Sequence, residues 1–199
     1  MKSQFNYPEY AEIDGKKYKI NTDFRVAIRC NDISIDPNID EVEKMLAIIY
    51  LLFGKEGLRA KDKYKELSEK SVYYLRCGED YYEETNKEPD MDFVEDMPYI
   101  EASFMSDYNI SLENTKMHWW KFYYLMNGLS NSEFGNCCVL NRIRNLRNYD
   151  TKEIKDSKER HKIEEAKKRV ALKRYKKEKP KATEEQLKSA EEFIKALGL

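Results

Sequence analysis

The sequence predicts a mainly α-helical protein: a multi-helix bundle with a small N-terminal β-hairpin and a long charged C-terminal helix. Three observations lead to this fold class. Apolar residues recur at helical spacing along most of the chain. Only 7 glycines and 5 prolines occur in 199 residues, which disfavours a many-stranded sheet with tight turns. Charged residues make up 37%, above the roughly 25% of ordinary globular chains, so many helix faces must be solvated.

The N-terminal part of the chain predicts a hairpin that leads into a helix. The stretch Ile13-Asp14-Gly15-Lys16 contains the Asp-Gly pair of a tight turn, and apolar residues flank it at the spacing of short strands. Thr22 or Asp23 is suited to cap the helix that follows, because a short polar side chain can accept the first free backbone N–H groups. We therefore expect a hairpin and then a short helix.

Two longer helices are predicted next, and together they would form a helical hairpin. Asn38 and Glu41 have the spacing of a capping box at the start of the first, which we expect Gly54 with Gly57 to close. A second apolar stripe covers residues 60–75 with a period near 3.6, and Gly78 ends it.

The middle of the chain predicts three more helices. Pro98 lies inside an apolar stripe and removes a backbone hydrogen bond, so we expect either a kink or a helix start near Met97, and Asn109 would stop that helix. An aromatic helix, "MHWWKFYYL", covers residues 117–125. Ser130 with Glu133 reads as a capping box for the helix after it.

The sequence changes character after residue 150. Residues 151–181 carry 14 Lys and Arg against 6 Asp and Glu. They predict one charged helix over 151–179 that ends at Pro180, followed by a last amphipathic helix that Thr183 would cap. We therefore divide the chain into a helical body with the hairpin, residues 1–150, and a charged helical extension, residues 151–199.

The aromatic helix and the basic run are the candidate sites. His118 has no second ligand or relay group nearby in the sequence, so a structural role is favoured over a catalytic one. An internal core role is favoured for the aromatic helix, but aromatic side chains also anchor interfaces. The basic run is favoured as a solvated or partner-docking helix over a nucleic-acid site. The predicted partner-binding residues are Trp119, Trp120, Tyr123, Tyr124 and Met126, and Lys167, Lys168, Arg169, Lys173 and Arg174.

Motifs of catalysis are missing from the sequence. It contains no phosphate-binding glycine loop, no GxSxG and no HExxH, and its 4 cysteines have no CxxC spacing. We expect no enzymatic activity, no catalytic residue, no cofactor and no metal. The longest apolar cluster is too short to cross a bilayer and no signal peptide is apparent, so we expect a cytoplasmic protein without membrane association.

The stretch "DFVEDMPYIEASFMSDYNISLENTKMHWWKFYYLMNGL", with the "EFGNCCVLNRIRN" that follows, resembles the bacteriophage gene-product-fifteen family. The family has a glycine where this chain has Asn109 and an acidic residue where it has Ser111. Asn tolerates the left-handed conformation that glycine takes, so the fold assignment holds. The matching residues are Asp92, Phe93, Asp96, Ile100, Ala102, Phe104, Tyr108, Ile110, Leu112, His118, Trp119, Trp120, Lys121, Phe122, Leu125, Gly128 and Leu129.

The resemblance implies a tail-module protein of a long-tailed phage or prophage, at work in the cytoplasm of the host bacterium. It implies a tail assembly chaperone whose partner is the tape measure protein or another phage tail protein; self-association is left open. Two alternatives remain: a structural tail or virion component, and a nucleic-acid-binding regulator that acts through the basic helix, of which the second is disfavoured.

Overall fold

The computed structural model describes residues 7–79, 89–132 and 136–174, and it divides the chain into two compact units. The described residues of unit 1 are 7–79 and 116–124, and those of unit 2 are 89–115, 125–132 and 136–174. Helices dominate, and the predicted hairpin is present near the N-terminus. The predicted mainly α fold with a small N-terminal hairpin is confirmed.

The hairpin opens unit 1. Strand β1 (Tyr10–Ile13) pairs antiparallel with β2 (Lys16–Lys19), and Ile13 lies opposite Lys16. The turn residues Asp14 and Gly15 have φ of 49° and 78°. Two left-handed residues in succession match the right-handed twist of the strands, which is why an Asp-Gly pair is suited to this turn.

Three helices follow in unit 1. They are α1 (Phe24–Ile35), α2 (Glu41–Arg59) and α3 (Tyr64–Leu75), and a 3-10 turn (Lys61–Lys63) leads into α3. Helix α2 packs against both α1 and α3, and the hairpin packs on α2 and α3. The cap predicted for α1 is confirmed at Asp23, whose carboxylate accepts the backbone N–H of Arg25 at 3.0 Å.

The boundaries of α2 differ from the prediction. Asp40, not Asn38, caps the helix, since its Oδ1 accepts two backbone N–H groups at 2.9 Å. Asn38 instead donates to Asp36. Gly54 does not end the helix but kinks it, with φ 63° and ψ −154°, and α2 continues to Arg59. Because glycine has no Cβ, it can adopt this left-handed conformation without a steric clash, and the chain resumes the helical conformation after the kink.

The chain returns to unit 1 with the first residues of α5 (Trp119–Asn127). Phe122 of this helix is fully buried and stacks on Phe24 of α1, with ring centroids 4.6 Å apart and planes 13° apart. The backbone is joined as well, because Trp119 N–H donates to the Thr22 carbonyl at 2.8 Å. Helix α5 is thus an integral part of the core of unit 1.

Unit 2 contains α4 (Met97–Tyr108), α6 (Val139–Asn148) and α7 (Ser157–Val170), and α6 packs against both of the others. Pro98 lies in the first turn of α4 and Asn109 ends it in the left-handed conformation, φ 54° and ψ 39°, so both predicted boundaries are confirmed. Leu140 N–H donates to Ser103 Oγ at 3.0 Å, which ties α6 to α4.

The predicted start of α6 is wrong. The helix begins at Val139, and Cys138 Sγ accepts the Asn141 N–H at 3.4 Å. Ser130 does not cap a helix, because its backbone N–H is held by Asp107 at 2.8 Å; Glu133 lies outside the described residues.

The long charged helix predicted over 151–179 is shorter in the structure. Helix α7 starts at Ser157, where Asp156 caps it, and ends at Val170. The chain becomes extended at Ala171, since this places Leu172 in a buried position and presents the next two N–H groups to Glu95. Residues 175–199, with the predicted last helix, lie outside the described part, and the division at residue 150 stays a prediction.

Candidate partner-binding surface

The tandem tryptophans at the start of α5 bind the end of another helix in unit 1. Trp119 Nε1–H donates to the Leu75 carbonyl at 3.0 Å, and Trp120 Nε1–H donates to the Tyr74 carbonyl at 2.9 Å. Both carbonyls belong to the last turn of α3, where few backbone N–H groups remain to satisfy them, and the Tyr74 carbonyl also accepts the Cys77 N–H at 3.1 Å. The two indoles therefore cap the C-terminus of α3.

His118 precedes them and uses both ring nitrogens. Nδ1 accepts the backbone N–H of Trp120 at 3.1 Å, so Nε2 carries the proton and donates to the Pro8 carbonyl at 3.1 Å. Burial lowers the pKa of His118, although the bond to Pro8 opposes this shift. The ring is neutral and fully engaged at neutral pH, which agrees with the structural role that the sequence favours.

An aromatic patch remains at the surface of unit 1, formed by Tyr7, Tyr73, Trp120 and Tyr124. Tyr73 and Tyr124 are each 47% exposed, and Trp120 is half-buried. The rings of Tyr7 and Tyr73 each approach the Trp120 ring with centroids 6.4 Å apart, in edge-on geometry. Such contacts fix the rings in place while part of each face stays accessible.

Gly78 forms the backing of this patch. Its φ is 81°, and a Cβ there would lie 3.0 Å from Trp120 Cη2 and 3.2 Å from the Tyr73 hydroxyl. Tyr124 reaches the same turn, where its hydroxyl donates to the Cys77 carbonyl at 3.4 Å. The turn after α3 and the exposed edge of α5 therefore form one continuous surface.

The predicted aromatic residues divide between core and surface. Trp119 is only 4% exposed and belongs to the core. Its ring contacts that of Tyr123, with the two centroids 5.8 Å apart. Tyr123 and Met126 are half-buried. Tyr7 and Tyr73 are the members of the patch that sequence reasoning missed; Tyr73 lies on a helix already predicted, but no local signal links Tyr7 to residues more than a hundred positions away.

The predicted basic residues lie in unit 2, and most of them have partners there. Lys167 Nζ donates to the Tyr149 carbonyl, and Lys168 pairs with Glu165 at 2.8 Å. The backbone N–H groups of Lys173 and Arg174 donate to the Glu95 carboxylate, and the Arg174 guanidinium pairs with Asp92 at 3.2 Å. Arg169 is exposed. The side-chain charges of Lys168 and Arg174 are therefore paired within unit 2.

The acidic motif before α4 has a structural role in unit 2. Asp96 is fully buried and takes a bidentate pair of bonds from Arg147, at 2.6 and 2.7 Å. The bond to Asp96 raises the pKa of Arg147 above its ordinary value. Asp92 caps the turn that follows it by accepting the N–H groups of Val94 and Glu95. These carboxylates are all engaged in bonds to nearby N–H groups.

The buried thiols are held in the unreactive form. Burial raises the pKa of Cys30 and of Cys77 to about 12 in each case. Among the described residues, no group of three His, Cys, Asp or Glu side chains is placed to hold a metal ion. None of the helices in the described ranges combines the length and apolar character that a membrane crossing requires.

Comparison with known proteins gives one family. The model of the family described as Bacteriophage Gp15 protein matches residues 6–172, which include the hairpin, the aromatic patch and the buried Asp96 pair. No curated protein and no solved structure matches the chain.

Proposed function

The chain belongs to the bacteriophage Gp15 family, and on that premise we propose that it is a tail assembly chaperone that binds the tape measure protein and keeps it soluble while the tail assembles. The observation that carries this proposal is the aromatic patch of Tyr7, Tyr73, Trp120 and Tyr124. Its rings are held in fixed positions. The adjacent His118 uses both ring nitrogens for internal hydrogen bonds.

The chemistry of the patch suits a helical client with exposed apolar side chains. Tyrosine and tryptophan combine a large apolar face with a polar edge, so they bury apolar groups and still tolerate water in the unbound state. Anchoring residues of this type dominate the energetics of many interfaces. A tape measure protein is a long helix that offers such segments repeatedly, and many weak contacts along one client give avidity.

We also propose that the protein acts by binding and not by catalysis. Both ring nitrogens of His118 are occupied, and the buried Asp92 and Asp96 hold backbone N–H groups and arginines. A general acid, base or nucleophile must be able to reach a substrate, and these groups are committed to internal bonds.

Co-expression with the cognate tape measure protein tests the proposal. We expect the wild-type chain to raise the soluble fraction of the client and Tyr124→Ala to reduce this effect. Tyr50→Ala is the matched control, because Tyr50 is also 47% exposed but lies on α2, and it should leave the client as soluble as the wild type does. A client that is equally soluble without this chain would refute the proposal.

The alternative of a structural tail component predicts a different fate for the protein. A chaperone should be depleted from mature particles, whereas a structural component should be present in them at a fixed ratio. Mass spectrometry of purified virions separates the two. The charge balance around Lys168 and Arg174 weighs against the third reading, a nucleic-acid-binding regulator.

A further inference from the structure

A short segment ahead of β1 lies across the aromatic patch. The Tyr7 ring stacks on His118 with centroids 5.0 Å apart, and it approaches Trp120 and Tyr124 at 6.4 Å each. The next residue, Pro8, supplies the carbonyl that accepts from His118 Nε2. Tyr7 therefore occupies the position on α5 that an incoming aromatic side chain would need.

His118 attaches this segment to the start of α5: its Nε2–H donates to the Pro8 carbonyl, and its Nδ1 accepts the Trp120 N–H, which only the neutral ring can do. A second ring proton would sit on Nδ1, opposite the Trp120 N–H, and two donors cannot bond to each other. Protonation would thus break the bond from the Trp120 N–H that orients the ring toward the Pro8 carbonyl.

The charged and titratable groups around His118 act in both directions. Burial, the largest cause, disfavours the protonated ring and lowers the pKa of His118 below 6.5, whereas the bond to Pro8 and the charge of Glu9 favour the protonated ring. Asp23 pairs with His118 through the backbone, and its carboxylate is bound to Arg25 at 3.1 Å. Tyr74 of α3 presents its ring edge-on at 5.9 Å.

We infer that Tyr7, the member of the aromatic patch that lies outside α3 and α5, forms with Pro8 a strap that His118 holds against Trp120 and Tyr124. A client segment then binds to Tyr73, Trp120 and Tyr124 by displacing the Tyr7 ring with an aromatic side chain of its own. The identity of the competitor rests on the proposed chaperone function. The strap itself does not, because its contacts lie within unit 1. The segment that fits is one that can replace both features of the strap: a ring that stacks on His118 and a carbonyl that accepts from it.

The stability that the strap gains from His118 depends on pH with a defined sign. Because the folded pKa lies below the unfolded value of about 6.5, the contribution is fully present above pH 6.5 and is lost as the pH falls through the lowered pKa. Opening of the strap is therefore expected on mild acidification.

Quenching of tryptophan fluorescence by acrylamide tests the strap in the full-length chain without any client. Trp119 is 4% exposed and is shielded from the quencher, so the signal reports on Trp120. We expect Tyr7→Ala to increase quenching at pH 7.5 and Tyr10→Ala, a neighbouring tyrosine that is 50% exposed in β1, to leave it unchanged. Equal quenching in the wild type and in Tyr7→Ala would overturn the strap.

The pH dependence gives a second, independent measurement. Wild-type quenching should rise as the pH falls below 6.5, and His118→Asn should remove that rise, because the amide oxygen can accept from Trp120 but the side chain does not titrate in this range. A rise that persists in His118→Asn would show that another group controls the patch and would overturn the role given to His118.

Binding of overlapping peptides from the cognate tape measure protein separates the strap from the proposed function. The Tyr7→Ala variant should bind such a peptide with a roughly five- to tenfold lower Kd, because it lacks the aromatic contact that competes with the client. Unchanged or weaker binding by this variant would overturn the competition. If no peptide binds to any variant, the chaperone proposal fails, while the quenching results still decide whether the strap exists.

Discussion

Replacement of Asp96 with alanine should lower the free energy of unfolding by about 3–5 kcal/mol, because it removes one partner of a buried ion pair. Asp96 is 0% exposed, and the Arg147 side chain is 10% exposed. The carboxylate accepts two bonds from Arg147, at 2.6 and 2.7 Å, and a third from the backbone N–H of Asp92 at 3.0 Å.

The size of this effect follows from what the alanine leaves behind. The Arg147 guanidinium would keep its bonds to the carbonyls of Asp90 and Val170, both at 2.7 Å, but would lose the opposite charge. A buried charge without its partner is the costly state, and the pair itself is close to neutral when both members are replaced together. A double variant, Asp96→Leu with Arg147→Met, should therefore be less destabilised than the two single effects combined.

Urea denaturation followed by circular dichroism measures the difference. The matched control is Asp90→Ala in the same segment, which removes a partly exposed carboxylate that accepts from Arg144 and from Asn148. With the Arg144 and Asp90 side chains 39% and 27% exposed, this change should cost about 1–2 kcal/mol. In a thermal scan, Asp96→Ala should melt roughly 10 °C below the wild type. If Asp96→Ala is no more destabilising than Asp90→Ala, the assignment of Asp96 as the central anchor of unit 2 is wrong.

Two further predictions test unit 1. Gly78→Ala should lower the free energy of unfolding by about 1–2 kcal/mol more than Gly15→Ala in the same urea assay. Both glycines have φ near 80°, but only at Gly78 does the added Cβ lie 3.0 Å from the Trp120 ring. Equal losses would show that the ring moves away freely. In native protein at pH 8, Cys30 and Cys77 should resist a thiol reagent such as DTNB, since a pKa of about 12 leaves almost no thiolate, while the partly exposed Cys137 should react first. Rapid modification of the first two would contradict their burial.

The functional surface could be read from the sequence only in part. The aromatic helix and the tandem tryptophans stand out as a motif, and the family resemblance rests largely on them. The sequence placed Trp119 among the partner-binding residues, and only the structure shows that it is buried. Nothing local assigns Tyr7 or Tyr73 to the same surface. The segment that carries Tyr7 is held by a hydrogen bond between Pro8 and His118, which are 110 positions apart in the sequence. The predicted capping boxes at Asn38 and Ser130 failed for a related reason: several polar residues near each helix start could serve, and the backbone path selects among them.

The sequence by itself determined the helical class, the Asp14-Gly15 hairpin, and the limits of α4 at Pro98 and Asn109, since these depend on backbone conformation and on apolar spacing within a few residues. Only the tertiary structure decided which polar and charged groups that are distant in the sequence form hydrogen bonds and ion pairs with each other. Arg147 binds Asp96, which lies 51 positions earlier in the sequence. Helix α7 ends at Val170, and beyond it Leu172 is buried and the Lys173 N–H donates to Glu95. Such pairings depend on the position of whole helices, and a short stretch of sequence carries no information about that position.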